Sequence, residues 1–126
     1  MSRIKAKETG LDEKLAAELS KTGIAFRADA WENKAPSSYG VVEITGQDKG
    51  EWADGRMIDQ TFSAEITLYV GENSKAWVKK VQEKLEEMDA GYSLPTRQYL
   101  PDIGKTMWVW KASFYQPLGW TEYVEA

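Results

Sequence analysis

The sequence predicts an α+β fold: a mainly antiparallel sheet of about five strands with two helices packed on one face, in the order α-β-β-β-α-β-β. Three observations carry this. Asp54 to Val70 alternates for longer than any other stretch, with Ile58, Phe62, Ala64, Ile66, Leu68 and Val70 on one parity and Asp59, Thr61, Ser63, Glu65 and Thr67 on the other; a period of two marks a strand with one buried and one wet face. Two other stretches, Leu11-Leu15-Leu19 and Trp77-Val78-Val81-Leu85-Met88, switch to helical spacing. Most connections are short and turn-rich, which favours hairpins and hence an antiparallel sheet.

Met1 to Lys7 is polar and basic, so residues 1–8 are expected to fray. Thr9 offers an N-cap, and Asp12 and Glu13 in the first turn suit the helix dipole. Gly23 stands where a left-handed residue would stop the helix, placing helix one over about Gly10 to Lys21. Thr22 to Trp31 alternates as a half-buried strand, and Asn33 to Ser38 reads as a turn built around Pro36. Tyr39 to Thr45, with Val41, Val42 and Ile44, is the next strand. Gly46 to Asp54 separates it from the long strand and, at nine residues, exceeds the usual hairpin loop. A strand running from Asp54 to Val70 would span roughly 45 Å, so it either bends at a bulge or outruns its own domain and leaves an edge in need of a partner.

Asn73 or Ser74 caps the second helix, which Gly91 is expected to end. Its lysines come early and its carboxylates late, against the dipole, so the apolar stripe must hold it. Tyr92 to Leu100 is a weaker strand broken by Pro95, which places it at an edge. Pro101 to Gly104 is a turn, and Lys105 to Tyr115 is a strong strand with Trp108, Trp110, Ala112 and Phe114 on one parity. The expected core is Leu15, Leu19, Phe26, Ile44, Phe62, Ile66, Leu68, Val81, Leu85, Trp108, Trp110 and Phe114. Pro117 and Gly119 turn the C-terminal extension, residues 116–126, out of the sheet.

The chain has 126 residues, 42% of them hydrophobic, which is the size of one domain able to bury a core without staples. It contains no cysteine and no histidine, so disulfides, thiolate metal sites and the usual nucleophile–base pairs are excluded, leaving carboxylates, Lys and Tyr for proton transfer. The excess of 20 acidic over 16 basic residues argues against non-specific nucleic-acid binding. No apolar run reaches the roughly 18 residues of a membrane span, and a soluble cytoplasmic product with no membrane partner is expected. Asp48, Glu51 and Asp54 do not follow calcium-loop spacing. Pro101-Asp102 lacks the following Glu-x-Lys that a nuclease metal site needs, so no catalytic residue, metal or cofactor is expected.

What remains is surface for a partner. The separator carries three acids, one lysine and a Trp with no obvious core to enter, which makes Gln47, Asp48, Lys49, Glu51, Trp52, Asp54 and Arg56 a candidate contact arm. Leu118, Trp120 and Tyr123 in the extension expose more apolar surface than a free end should, and join the candidate interface. Ordering so short a segment nearly cancels its burial, so it is expected to dock on a neighbour and order only in an assembly.

The element order, with Thr22-Gly23-Ile24-Ala25-Phe26-Arg27, Tyr39-Gly40-Val41-Val42 and Trp52 to Tyr69, resembles the tail-completion and tail-terminator proteins of tailed bacteriophages and prophages, over about residues 9–115. The resemblance implies a non-enzymatic virion protein of the tail and neck, assembled in the host cytoplasm. It implies a ring, usually a homohexamer, that caps the tail tube, stops its polymerisation and joins it to the head-side connector. The partners so implied are copies of itself, the tail-tube protein, the sheath protein of tails that have one, and the connector, with DNA only in transient passage through the lumen. The long second hairpin would reach the next subunit or ring and the helices would lie outside; a mainly acidic loop is consistent with a lumen that DNA slides past. A reading of another class is a small cytoplasmic module that binds a peptide or protein by adding a strand to its sheet edge.

Overall fold

The computed structural model describes residues 4–7, 10–28, 37–48, 52–53, 56–57, 61–71, 74–115 and 122–125. In chain order the elements are β1 (Ile4–Lys7), α1 (Leu11–Ser20), β2 (Ala25–Arg27), β3 (Tyr39–Asp48), β4 (Trp52–Ala53), β5 (Arg56–Met57), β6 (Thr61–Val70), α2 (Ser74–Glu87), β7 (Gly91–Tyr92), β8 (Thr96–Leu100), β9 (Lys105–Tyr115) and β10 (Glu122–Glu125). The main sheet has six strands in the order β2-β3-β6-β9, with β7 and β8 both on the far side of β9. The fold is α+β as expected, with a sixth strand because Ser93-Leu94-Pro95 splits the weak fourth strand in two.

β6 lies at the centre. It is paired antiparallel with β3 on one side and β9 on the other along its whole length. The long strand therefore does not outrun its domain; it ends at Thr61, and an N-terminal part of the alternating stretch pairs elsewhere, as β5 with β4. Every second residue of β6 is buried: Phe62, Ala64, Ile66, Leu68 and Val70 join Val42 of β3 and Trp110, Ala112 and Phe114 of β9 on one face. Phe62 and Phe114 stack with ring centroids 4.9 Å apart.

Both helices cover that face. Leu15, Ala16 and Leu19 of α1 and Val81 and Leu85 of α2 enter the same core, each large side chain contributing about 1.5–3 kcal/mol of burial. Ile44 and Trp108, expected in the core, pack against it only partly buried, whereas Ile24 and Val70 are fully inside. The indole N–H groups of Trp108 and Trp110 are buried and find no hydrogen-bond partner among the described residues, a cost of about 1–3 kcal/mol each that the packing of two large rings must outweigh.

Several expectations are corrected. The N-cap of α1 is Gly10, held at φ 88 with no side-chain cap bond, so Thr9 does not occupy the N-cap. Among the described residues the first strand is Ala25–Arg27, and it runs parallel to β3, so β2 and β3 are not the two arms of a hairpin; the expected strand residues 29–31 and most of the expected turn, residues 33–36, lie outside the described residues. β3 continues through Asp48: the register skips Thr45, a β-bulge, after which Gly46 pairs with Ser63 and Asp48 with Thr61. Helix α2 ends in a Schellman turn in which Ala90 N–H donates to Leu85 O at 2.9 Å and Asp89 N–H to Glu86 O at 3.0 Å. The left-handed residue is Asp89, at φ 57, and Gly91 already belongs to β7.

The chain ends also differ from expectation. Ile4–Lys7 is not a frayed end but a strand, paired antiparallel with Glu122–Glu125 in a separate two-stranded ladder. The described part of the C-terminal extension, β10, is not a strand of the main sheet, and its strand partner is the chain's own N-terminal segment; the expected turn at Pro117 and Gly119 lies outside the described residues. The register sets Lys7 opposite Glu122, and both segments combine charged with β-compatible residues, so each end supplies what the other lacks.

Candidate functional site: an assembly face

Both helices lie on one face of the sheet, and among the described residues no helix covers the second face. Its residues are the even-handed remainder of the alternation: Tyr39, Val41 and Glu43 on β3, Thr61, Ser63, Glu65, Thr67 and Tyr69 on β6, and Met107, Val109, Lys111, Ser113 and Tyr115 on β9. Cross-strand register orders them into rows. Tyr39, Tyr69 and Met107 form one, Val41, Thr67 and Val109 the next, then Glu43, Glu65 and Lys111, and then Ser63 with Ser113.

The two tyrosine rings stack at 4.8 Å with planes 20° apart. Lys105 Nζ lies 5.7 Å from the Tyr39 centroid and donates to Ser37 O at 2.6 Å, fixing this corner of the face. Burial, and then the neighbouring Tyr69, push the Tyr39 hydroxyl above its ordinary value, so it stays protonated at neutral pH and Lys105 supplies the charge at this corner. Glu43 sits opposite Glu65, a like-charge neighbour that a sheet tolerates only on a wet surface or facing a cationic partner. Beside the bulge a depression of about 370 Å³ is lined by Thr45, Ser63, Glu65, Lys111 and Ser113, with Ala64 and Ala112 at its floor. Its hydroxyls, one carboxylate and one ammonium offer hydrogen bonds. Among the described residues no group of three or more acidic side chains is placed to hold a metal ion.

The residues expected at the interface are distributed over three separate ladders. Gln47 and Asp48 belong to β3, with Gln47 half-buried opposite Phe62 on the helix side and Asp48 opposite Thr61. Trp52 pairs with Met57 and Arg56 with Ala53 in the β4–β5 ladder. Tyr123 pairs with Ala6 in β10. Lys49, Glu51, Asp54, Leu118 and Trp120 lie outside the described residues. The described part of the arm thus forms a ladder of its own, Trp52–Ala53 antiparallel to Arg56–Met57. Asp54-Gly55 between the two paired positions is a strong two-residue turn signal that could have located it.

Other residues were legible only in part. The Tyr39–Tyr69 corner and the Glu43–Glu65–Lys111 row fall on the wet parity, but nothing in the alternation gives their register. Leu94, Tyr99, Ile103 and Tyr115 are exposed, at 86%, 61%, 51% and 67%, and no periodic pattern marks the first three because they flank or occupy a short edge strand.

No family model matches the chain, and no curated protein matches it.

Proposed function

We propose that this protein is a non-enzymatic ring subunit of the tail-terminator kind, one that caps a phage or phage-like tail tube and joins it to the head-side connector. The observation that best supports this reading is the second hairpin: β3 and β6 pair from Tyr39–Tyr69 to Asp48–Thr61, and the chain between them adds the β4–β5 ladder. A ladder of its own in this connection supports the reading of an arm that reaches a neighbour. One sheet face is sealed by helices while the other presents rows of Tyr, Thr, Ser and Glu, a polar surface suited to a wet interface or lumen. The homohexamer, the tube and connector partners and the passage of DNA come with the resemblance carried by Thr22 to Arg27, Tyr39 to Val42 and Trp52 to Tyr69.

The test is to add the purified chain in substoichiometric amounts to polymerising tail-tube protein, following tube length by light scattering and electron microscopy. Tubes that stop short and carry a terminal ring are expected. Tubes that grow to the same length with and without the chain overturn the reading. A module that accepts a peptide strand is the second reading, favoured by the outer side of β8, which no strand among the described residues pairs; it calls for micromolar peptide affinity and no effect on tube growth.

A further inference from the structure

The main sheet ends differently on its two sides. At β2, the Phe26 N–H donates to Ser20 Oγ at 3.0 Å, and the same hydroxyl lies 3.3 Å from Phe26 O, in donating position. The N–H and C=O of one strand residue point the same way, so Phe26 is the residue of this short strand that faces away from β3. The helix serine thus takes up the outward N–H of this edge, while its single proton is shared between Ala16 O at 2.8 Å and Phe26 O, so α1 shields the β2 edge.

At the other side β8 pairs with β9, and among the described residues no strand pairs with its outer edge. Alternate residues of β8 aim their backbone groups away from β9, where they form a template for another strand. Exposed apolar surface gathers at the same edge: Leu94 before it, Tyr99 within it and Ile103 just after it, leaving Tyr115 as the only other large exposed side chain of that kind among the described residues. Thr96–Leu100 contains no proline and no acidic residue, and its only charge is Arg97.

We propose that a second copy of this chain closes this edge, β8 pairing antiparallel with β8 about a two-fold axis at Gln98. The segment Thr-Arg-Gln-Tyr-Leu is self-complementary in that register. Thr96 falls opposite the second copy's Leu100, Arg97 opposite its Tyr99, and Gln98 opposite its Gln98. Arg97 already lies over the ring of Trp108 at 5.5 Å, so it gains a second aromatic neighbour, and the two arginines meet only across a diagonal. Moving the axis to Arg97 would set the two arginines directly against each other. Moving it to Tyr99 would carry Arg97 past the end of the strand, against Pro101. The Gln98 register also brings Leu94 of each copy to the turn that holds Ile103 of the other, covering the apolar residues at both ends of the ladder. An axis perpendicular to the sheet keeps the helices of both copies on one face and makes one continuous sheet. The pairing does not depend on the ring reading; it describes the chain before any tail partner is present, with the edge closed to other strands.

The chain has no cysteine, so a single introduced thiol reports its own position. In Gln98→Cys the two thiols face each other across the axis, and mild oxidation should give a disulfide-linked dimer. Thr96→Cys faces Leu100, far from its counterpart, and should remain unlinked. Sedimentation of the unmodified chain should show a concentration-dependent monomer–dimer equilibrium. Tyr99→Lys, which opposes Arg97 with a like charge, should weaken it by about tenfold or more, and Arg97→Glu added to Tyr99→Lys should restore it. An unmodified chain that stays monomeric at sub-millimolar concentration overturns the proposal, whether it then takes up a foreign peptide strand or none. So does cross-linking of Thr96→Cys as readily as of Gln98→Cys. A dimer indifferent to Tyr99→Lys equally assigns the contact to another surface.

Discussion

Replacing Gly40 with alanine tests the packing of β2 against the sheet more sharply than any other substitution. A Cβ at that position would lie 2.1 Å from both Cδ1 and Cε1 of Phe26 and 2.8 Å from its Cγ. Ordinary carbon contacts are about 3.5–4 Å, so the ring would have to retreat by more than an ångström. Phe26 is only 6% exposed and sits on a three-residue strand, so it has little room to move without leaving the core. Overpacking alone costs about 1–3 kcal/mol and losing a buried Phe about 3–5, which brackets the loss at about 3 kcal/mol. With a urea m-value of about 1.5 kcal/mol per molar, the midpoint should fall by about 2 M at unchanged m. The double-mutant cycle is decisive: in a Phe26→Ala background, already destabilised, Gly40→Ala should be neutral or stabilise by about 0.5–1 kcal/mol, because Gly is the poorer strand residue. Gly40→Ala within about 0.5 kcal/mol of the parent chain, or equally harmful in both backgrounds, refutes the reasoning.

Lys84 joins the helices, its Nζ 3.1 Å from Glu18 Oε2 and 3.3 Å from Glu87 Oε1. Its side chain is 9% exposed while Glu18 is 28% exposed, so Lys84→Met should cost about 1–2 kcal/mol by thermal melts, less than a fully buried pair. Hydrogen bonds from Lys21 and then Lys84 hold the Glu18 carboxyl below its ordinary value of 4.5, so its contribution is full above that pH and is lost as pH falls through the lower folded value. Burial works to lower the Lys84 ammonium, but the Glu18 and Glu87 carboxylates outweigh it and raise it above 10.5; its contribution is full below that pH and is lost as pH rises through the higher folded value. Stability against pH should therefore fall off at both ends, and Lys84→Met should remove the alkaline loss. Asp89→Gly should stabilise by about 0.5–1 kcal/mol by relieving a left-handed aspartate, whereas Gly91→Ala, with nothing within 4 Å of the added Cβ, should leave the melting temperature unchanged. Since Asp48 pairs with Thr61, replacing residues 49–60 by Asn-Gly closes β3 onto β6 as a two-residue hairpin. The fold should survive, helped by about 1–2 kcal/mol of closure entropy, and capping of tail tubes should be lost; capping at full strength would make the arm a bystander.

How much of this was legible depends on which interaction decides each element. β9 begins and ends where its alternation does, at Lys105 and Tyr115, because burial on one face enforces period two over its whole length. The stripe of α2 likewise places Val81 and Leu85 in the core. The reading failed where one residue changes the local geometry. The bulge at Thr45 flips the parity of Gly46 to Asp48, so three strand residues look like a loop. Asp89 takes the left-handed position one would assign to a glycine, because the hydrogen bonds of the Schellman turn compensate the backbone. The parallel run of β2 and the pairing of the chain ends are long-range choices that no local pattern encodes. For the assembly face, parity identified which side is wet, but the stacked tyrosines and the open edge of β8 depend on register and on what is absent beside a strand.

The central place of β6 has a kinetic consequence. β3 with β6, and β8 with β9, are hairpins whose partners are near in sequence, so each closes over a short stretch of chain. The β6–β9 ladder instead joins Thr61 to Tyr115 and Val70 to Thr106 across the whole of α2. Neither hairpin buries its apolar face alone; Phe62 needs Phe114 and Ile66 needs Trp110 opposite them. The two halves thus form early as local units of marginal stability, and the rate-limiting search is their meeting along β6 in the one register that stacks those rings. Until that meeting the β6 edge of the first hairpin is bare, which makes the newly synthesised chain most vulnerable to wrong partners in the interval between completing β6 and completing β9.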